Sequence, residues 1–395
     1  MTALYICYQS VQEPLTETQV VAYLEGLATA GHRILLLSFE RAAMTAAEAS
    51  AHRDRLRSRG IDWHWLRYHQ RPTAPATAFD ICQGVVYGLW LARRQEIDLF
   101  HARSHVACVM GLLLKTLTGA RLLFDIRGLL AEEYADAGIW TRGGKLFRLT
   151  KAFERLMIRH SDGIIVLTDR CRSFLTACYS KELAGTPLAV IPCCVDRDRA
   201  PLLPVPVDRP VTVAYVGKLG GLYMTGTILR FFALFKEILP GSRFEIWTQS
   251  SPGLLEPGLR EGGLLGDTLV GNRPPAGLLA HLAGNCDAAV SFIQPGVSKL
   301  ASSPTKIPEY LAAGLPVAAN SGIGDMDELI ATEKVGVTIA DFAEESLRAG
   351  VHRLLALVGD EEVRSRCRNT AEKYFDLKKV GWLEYRGIYQ QLERD

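Results

Sequence analysis

The stretch Ser302–Asn320, SSPTKIPEYLAAGLPVAAN, holds the residue types best suited to chemistry. Pro308 lacks an amide hydrogen, so it fits only the first turn of a helix, where that donor would go unpaired. Thr305 then becomes the N-cap of a helix over Lys306–Ala313, with Gly314 at its exit and a buried strand opening at Pro316. The amides of Thr305, Lys306 and Ile307 converge beside the Lys306 ammonium, an arrangement suited to an anion. Glu309, one turn on, can accept hydrogen bonds from two hydroxyls of a sugar ring such as ribose. Phosphate at the helix tip and diol at the carboxylate together describe a nucleotide. The same features also serve any capped helix ahead of a buried strand, so the structural alternative stands beside the functional one.

Four other stretches carry polar groups where strands end. The loop Ser10–Thr18 follows a first strand and offers Gln12 and Glu13, with Gln19 just beyond. In an open parallel sheet such loops face the ligand crevice, which makes these three candidate acceptor contacts or an ordinary polar connection. His101, Arg103, Ser104 and His105 leave the end of another strand; the Arg103 guanidinium can pair bidentately with phosphate or carboxylate. Asp125 ends the apolar run LLFD and is followed by Arg127, either a structural ion pair or a catalytic one. In VAYVGKLGGLYMTG, Gly217, Gly220 and Gly221 let backbone approach a phosphate, with Lys218 adding charge.

The elements that must hold these groups alternate short β-rich runs with amphipathic stretches, the pattern of doubly wound α/β domains. Strands are expected at Ala3–Cys7, Ile34–Phe39, Leu99–His101, Leu122–Phe124, Gly163–Leu167 and Ala189–Pro192, with helices over Thr18–Ala30, Ile81–Arg94 and His105–Leu117. Asp196–Pro210, with prolines at Pro201, Pro204, Pro206 and Pro210, reads as a linker. The alternation restarts at Val211–Val216, Arg243–Trp247, Ala288–Phe292 and Pro316–Ala319, and Leu377–Leu392 reads as a terminal helix. The expected division is residues 1–200, 201–376 and 377–395.

The segment S-P-T-K-x-x-E-Y-L-A-A-G-x-P-V resembles the donor-nucleotide signature of GT-B glycosyltransferases, in particular glycosyltransferase family 4. The resemblance implies two Rossmann-like domains with a cleft, an N-terminal acceptor domain, a C-terminal donor domain, and a last helix that crosses back. It implies a metal-independent transfer, with retention, from a nucleotide diphosphate sugar, UDP or GDP, to a glycan or lipid-linked acceptor in polysaccharide biosynthesis. Glu309 would bind the ribose, and Ser303, Thr305 and Ile307 would bracket the diphosphate. The glycine turn resembles G-R-L-x-x-x-K-G, with Lys218 at the arginine position and Tyr223 where the later lysine stands. Lys218 and Lys306 would stabilise the leaving diphosphate, while Asp125 and Arg127 would orient the sugar. Gln12, Glu13, Gln19, His101 and Arg103 would meet the acceptor. Two departures stand out: Ala301 replaces a glutamate eight residues before Glu309, and Asp125 replaces a strand-end histidine. IPCCVD at Ile191–Asp196 resembles the turn I-P-N-G-V-D. A nucleotide-sugar 2-epimerase and an inactive homologue acting as a partner subunit are the alternatives.

Arg142–His160 reads as a basic amphipathic helix: Arg142, Lys145, Arg148, Lys151, Arg155 and Arg159 on one face, Leu146, Leu149, Phe153, Leu156 and Met157 on the other. The apolar stripe is expected to be buried under a solvated basic face, with peripheral membrane contact as the alternative. The net charge of +2 over 395 residues gives no polyelectrolyte signature, so nucleic acid is excluded as a partner. The basic excess lies in residues 1–200, with 25 Lys and Arg against 20 Asp and Glu. Nine cysteines without a CxxC pair read as free thiols, and no metal site is expected. The N-terminus reads as a strand rather than a leader, and the run Val106–Leu114 is far too short to span a bilayer, so the expected location is the cytosol, with the inner membrane face as its margin.

Overall fold

The computed structural model describes residues 1–41, 44–203, 208–273 and 275–394. Pro204 and Pro206 of the expected linker lie outside the described residues. The chain divides into two compact units: Met1–Pro192 with Leu300–Ser302 and Val380–Asp395, and Cys193–Lys299 with Ser303–Lys379.

The first unit holds a seven-stranded sheet of β1 (Thr2–Cys7), β2 (Arg33–Glu40), β3 (Ile61–Arg67), β4 (Leu99–Arg103), β5 (Arg121–Asp125), β6 (Gly163–Val166) and β7 (Leu188–Val190). Its order is β3-β2-β1-β4-β5-β6-β7, and every pairing is parallel. Consecutive parallel strands need crossovers, which the intervening helices supply. The order reverses between β1 and β4, where a doubly wound sheet opens toward ligand. Near-continuous apolar strands such as Ile34–Leu37 are buried on both faces, as a covered parallel sheet requires.

The first helical run, α1, begins at Pro14 rather than Thr18. Its segments are Pro14–Thr16, a π turn at Glu17–Val21, and Ala22–Thr29. Pro14 stands in the first turn, where a missing amide hydrogen costs nothing. Further helices are α2 (Thr73–Gln95), α3 (Ser104–Thr118) and α4 (Lys145–His160). The terminal helix belongs to this unit. Its indole Nε1 at Trp382 donates to the Ala22 carbonyl at 2.8 Å. A Cβ on Gly26 would sit 2.3 Å from that indole. Gly26→Ala is therefore expected to lower stability by about 1–3 kcal/mol, read as a fall in the thermal midpoint against wild type.

The second unit repeats the plan with six strands: β8 (Thr212–Val216), β9 (Arg243–Trp247), β10 (Thr268–Gly271), β11 (Ala288–Ser291), β12 (Val317–Asn320) and β13 (Gly336–Ile339). Their order is β10-β9-β8-β11-β12-β13, again parallel with its reversal beside the first strand. The helix of the signature, α5, spans Lys306–Ala312 and leads into β12.

Candidate functional site

In the second unit, β8 delivers the chain into the glycine turn at the carboxyl edge of the sheet. Gly220 and Gly221 have φ of +72° and +61°, a region that L side chains enter only with strain. The turn is pinned from several sides. Tyr215 Oη donates to the Lys218 carbonyl at 2.6 Å, Leu219 N to Ser250 Oγ at 3.1 Å, and Gly220 N to Thr225 Oγ1 at 2.9 Å. Lys218 is exposed, and Gly217 N donates to the Trp247 carbonyl at 3.0 Å. Tyr223 bridges to Ile293, with its ring 6.5 Å from that of Tyr215.

One tyrosine joins this turn to the signature helix. Val216 N donates to Tyr310 Oη at 2.8 Å, and Tyr310 is fully buried. Burial raises its phenol well above the ordinary range, so it stays a neutral strut. Tyr310 lies next to Glu309 in sequence, which fixes where the carboxylate stands relative to the turn. The sequence assigns neither Tyr310 nor Tyr215 a site role, although Tyr310 stands beside Glu309 in the signature; the contact of its hydroxyl with Val216 comes from the fold.

At the helix tip the structure changes the expectation. Thr305 is the N-cap by position, but its side chain makes no capping hydrogen bond. Ile307 is corrected as a donor contact: its amide turns back to the Pro304 carbonyl at 3.2 Å and its side chain is buried. Among the described residues, Thr305 and Lys306 supply the amides that remain at the tip. Ser303 is buried, and its Oγ accepts from Cys193 N at 3.0 Å, so it braces the loop. Lys306 Nζ donates to Glu309 Oε2 at 2.9 Å. Lys306, the cation expected at phosphate, and Glu309, the carboxylate expected at ribose, thus pair with each other.

In the first unit the candidates separate into two sets. Gln12 and Glu13 remain on the loop after β1, organised by the buried Glu40 carboxylate. Glu40 Oε1 accepts from Val11 N at 3.0 Å, and its Oε2 accepts from Ser10 Oγ and, at 3.4 Å, from Gln12 Nε2. Glu13 pairs with Arg41 at 3.4 Å. Gln19 is corrected as an acceptor contact, since the π turn of α1 buries it.

His101 and Asp125 are likewise corrected. Both are wholly buried. Helix α6 (Trp382–Arg394) covers them: Tyr385 Oη donates to Asp125 Oδ2 at 3.2 Å, and His101 Nδ1 lies 2.9 Å from Tyr389 Oη. Asp125 also faces Arg103 at 3.7 Å and Arg127 at 3.4 Å. Arg103 is buried as well, so this group is an internal network of the first unit. Ser104, next after β4, holds φ of +71°, unusual for a non-glycine residue and placed at the reversal point of the sheet.

A dyad that the sequence did not disclose lies at the same sheet edge. Asp80, fully buried on α2, accepts from Tyr8 Oη at 2.7 Å and from His69 N at 3.0 Å, and its Oδ1 meets His69 Nδ1 at 2.5 Å.

Residues 16–194 match the family model described as the glycosyl transferase 4-like domain. The chain has the GT-B fold and resembles family 4 glycosyltransferases. Sucrose-phosphate synthase from Thermosynechococcus elongatus is 15% identical with a TM-score of 0.74, and 100% of each chain is covered. A glycosyltransferase from Rickettsia africae is 16% identical with a TM-score of 0.74, covering 100% of this chain and 99% of that one. HepE from Anabaena, solved in complex with UDP, is 16% identical with a TM-score of 0.70 and full coverage of both chains. At these identities the solved structures establish the fold alone. No curated protein sequence matches the chain. Against the family 4 pattern that the sequence resembles, Ala301 is the departure that the structure explains: it is buried in the apolar core of the first unit, a place that admits no free carboxylate.

Proposed function

We propose that this glycosyltransferase-like chain moves a sugar, with retention, from a UDP-type nucleotide diphosphate donor to an acceptor hydroxyl of a glycan or lipid-linked glycan. The observation that carries the reading is the Tyr310 strut, which sets the glycine turn and the Lys306–Glu309 pair side by side in one unit. The ribose hydroxyls donate to Glu309, which frees Lys306 to meet the diphosphate together with the tip amides and Lys218. As the glycosidic bond breaks, charge builds on the departing diphosphate, and these groups stabilise it. In this reading protein cations meet that charge without a resident metal, and the departing phosphate takes the acceptor proton. The choice of UDP draws on HepE, whose complexes hold UDP and UDP-glucose.

Thermal shift with UDP, GDP, ADP, TDP and CMP, on wild type and Glu309→Ala, tests it. A ligand at about 100 times its Kd stabilises by about 2.7 kcal/mol. The expected result is a shift with UDP that the variant loses. No shift with any nucleotide overturns the reading in favour of an inactive partner subunit. Turnover of a UDP-sugar to its 2-epimer would replace transfer by epimerisation.

A further inference from the structure

Helix α4 is rotated from the expected orientation, so that of the expected apolar stripe Met157 is buried while Leu146, Leu149, Phe153 and Leu156 are exposed. Its inner face carries Glu154, Met157 and Ile158, all buried. The buried Glu154 carboxylate fixes that orientation: it accepts from Lys151 and from Tyr179 Oη at 2.7 Å, and lies 3.3 Å from His105 Nε2. Lys151 also reaches Glu132 at 2.9 Å, so this one cation points inward, away from the rest of the basic set. Burying that polar group forces the apolar stripe outward. Leu146, Leu149, Phe153 and Leu156 are 58%, 55%, 50% and 42% exposed, and Ile139 in the preceding turn is 66% exposed.

At about 100° per residue the four outward side chains occupy an arc of about 80°. Lys145, Arg148, Arg155 and Arg159 fill the neighbouring arc, all exposed. The single acid on the helix, Glu154, is buried, so the exposed surface of α4 is apolar and cationic with no carboxylate of its own. Leu113 and Leu117 of helix α3, which packs against α4, are exposed as well.

The geometry points to an anionic lipid surface as the occupant of this face, with α4 lying in the plane of the interface. An apolar ridge flanked along its length by cations matches acyl chains beside phosphate headgroups. A second copy of the chain matches poorly, because a two-fold contact through α4 sets one basic row against another. No helix among the described residues is long and apolar enough to cross a membrane, so the contact is peripheral. This inference goes beyond the proposed transfer and stands on the exposure of α4 alone.

Sedimentation of the full chain with vesicles tests it, using phosphatidylcholine alone and phosphatidylcholine with about 30% phosphatidylglycerol. Wild type is expected to partition at least ~10-fold more strongly onto the anionic vesicles, and the double variant Leu149→Glu/Phe153→Glu to lose at least ~10-fold of that binding. Lys145→Glu/Arg159→Glu, which leaves the apolar ridge intact, is expected to weaken binding and flatten its salt dependence. Far-ultraviolet circular dichroism confirms that both variants remain folded. Absence of binding to anionic vesicles, or unchanged binding by the folded Leu149→Glu/Phe153→Glu variant, overturns the inference. So does a concentration-dependent dimer abolished by that variant without any vesicle binding.

Discussion

Asp125→Ala is expected to destabilise the first unit by about 3–5 kcal/mol, the range for removing one partner of a buried ion pair. The carboxylate is wholly buried and faces two guanidinium groups, Arg103 at 3.7 Å and Arg127 at 3.4 Å. Alanine leaves two cations around an emptied site and strands the Tyr385 hydroxyl. Tyr385→Phe removes only the 3.2 Å hydrogen bond and is expected to cost about 0.5–1.5 kcal/mol. Asp125→Asn keeps an acceptor for Tyr385 but not the charge, so it falls between the two. Urea unfolding followed by tryptophan fluorescence separates them, with Trp382 reporting the docking of α6. If Asp125 acted on the sugar alone, Asp125→Ala would abolish transfer while leaving the urea midpoint near wild type. That result would return Asp125 to the catalytic role first expected of it.

The difference between expectation and structure at Asp125 has a plain cause. Strand ends are legible from apolar runs closed by a charge, and β5 indeed ends at Asp125. What covers a strand end depends on pairing across the chain, here with Tyr385, 260 positions away. No periodicity encodes such a contact. Of the strands that the expected set lacks, β10 and β13 are four-residue edge strands with little apolar signal, whereas the alternation of β3, IDWHWLR, is a strand signal present in the sequence. Helix α4 shows the reverse failure. Its leucines have helical spacing, and spacing alone assigns the larger apolar stripe to the core. A buried Glu154 with three partners outweighs that stripe, and two of those partners, His105 and Tyr179, come from other elements of the fold. The signature helix was read more fully because its limits are set by local chemistry: Pro308 restricts it to a first turn, and Gly314 ends it at φ of +82°. Even there, the turn of the Ile307 amide back to Pro304 is a detail that residue types do not fix.

Stability is expected to fall in two stages as pH is lowered, the upper led by His101 and the lower by Glu154. Burial pushes the His101 imidazole down to about 3 from an ordinary 6.5, against the pull of Asp125 and with Arg103 and Arg127 adding to the push. Tyr5, Tyr385 and Tyr389 complete its surroundings. The folded state keeps this histidine neutral while the unfolded chain takes up a proton below 6.5, so its contribution is complete above 6.5 and is lost as pH falls toward 3. Glu154 acts lower. Burial opposes its ionisation, but the hydrogen bond from His105 and the charge of Lys151 prevail and hold it at about 2 against an ordinary 4.5. Its contribution is complete above 4.5 and disappears as pH falls toward 2, an effect on the order of 3 kcal/mol. Between 6.5 and 4.5 His101 leads the slope, with His32 and His64, whose imidazoles burial also lowers, adding to it; below 4.5 Glu154 acts beside other paired carboxylates such as Glu17, which Arg55 and Arg59 hold down against its burial. Urea midpoints measured from pH 7 downward on wild type, His101→Gln and Glu154→Gln assign the stages. His101→Gln is expected to flatten the upper stage and leave the lower one; Glu154→Gln is expected to do the reverse. An upper stage that survives His101→Gln unchanged would mean that the imidazole already shares its site with water, and that α6 does not seal the end of β4.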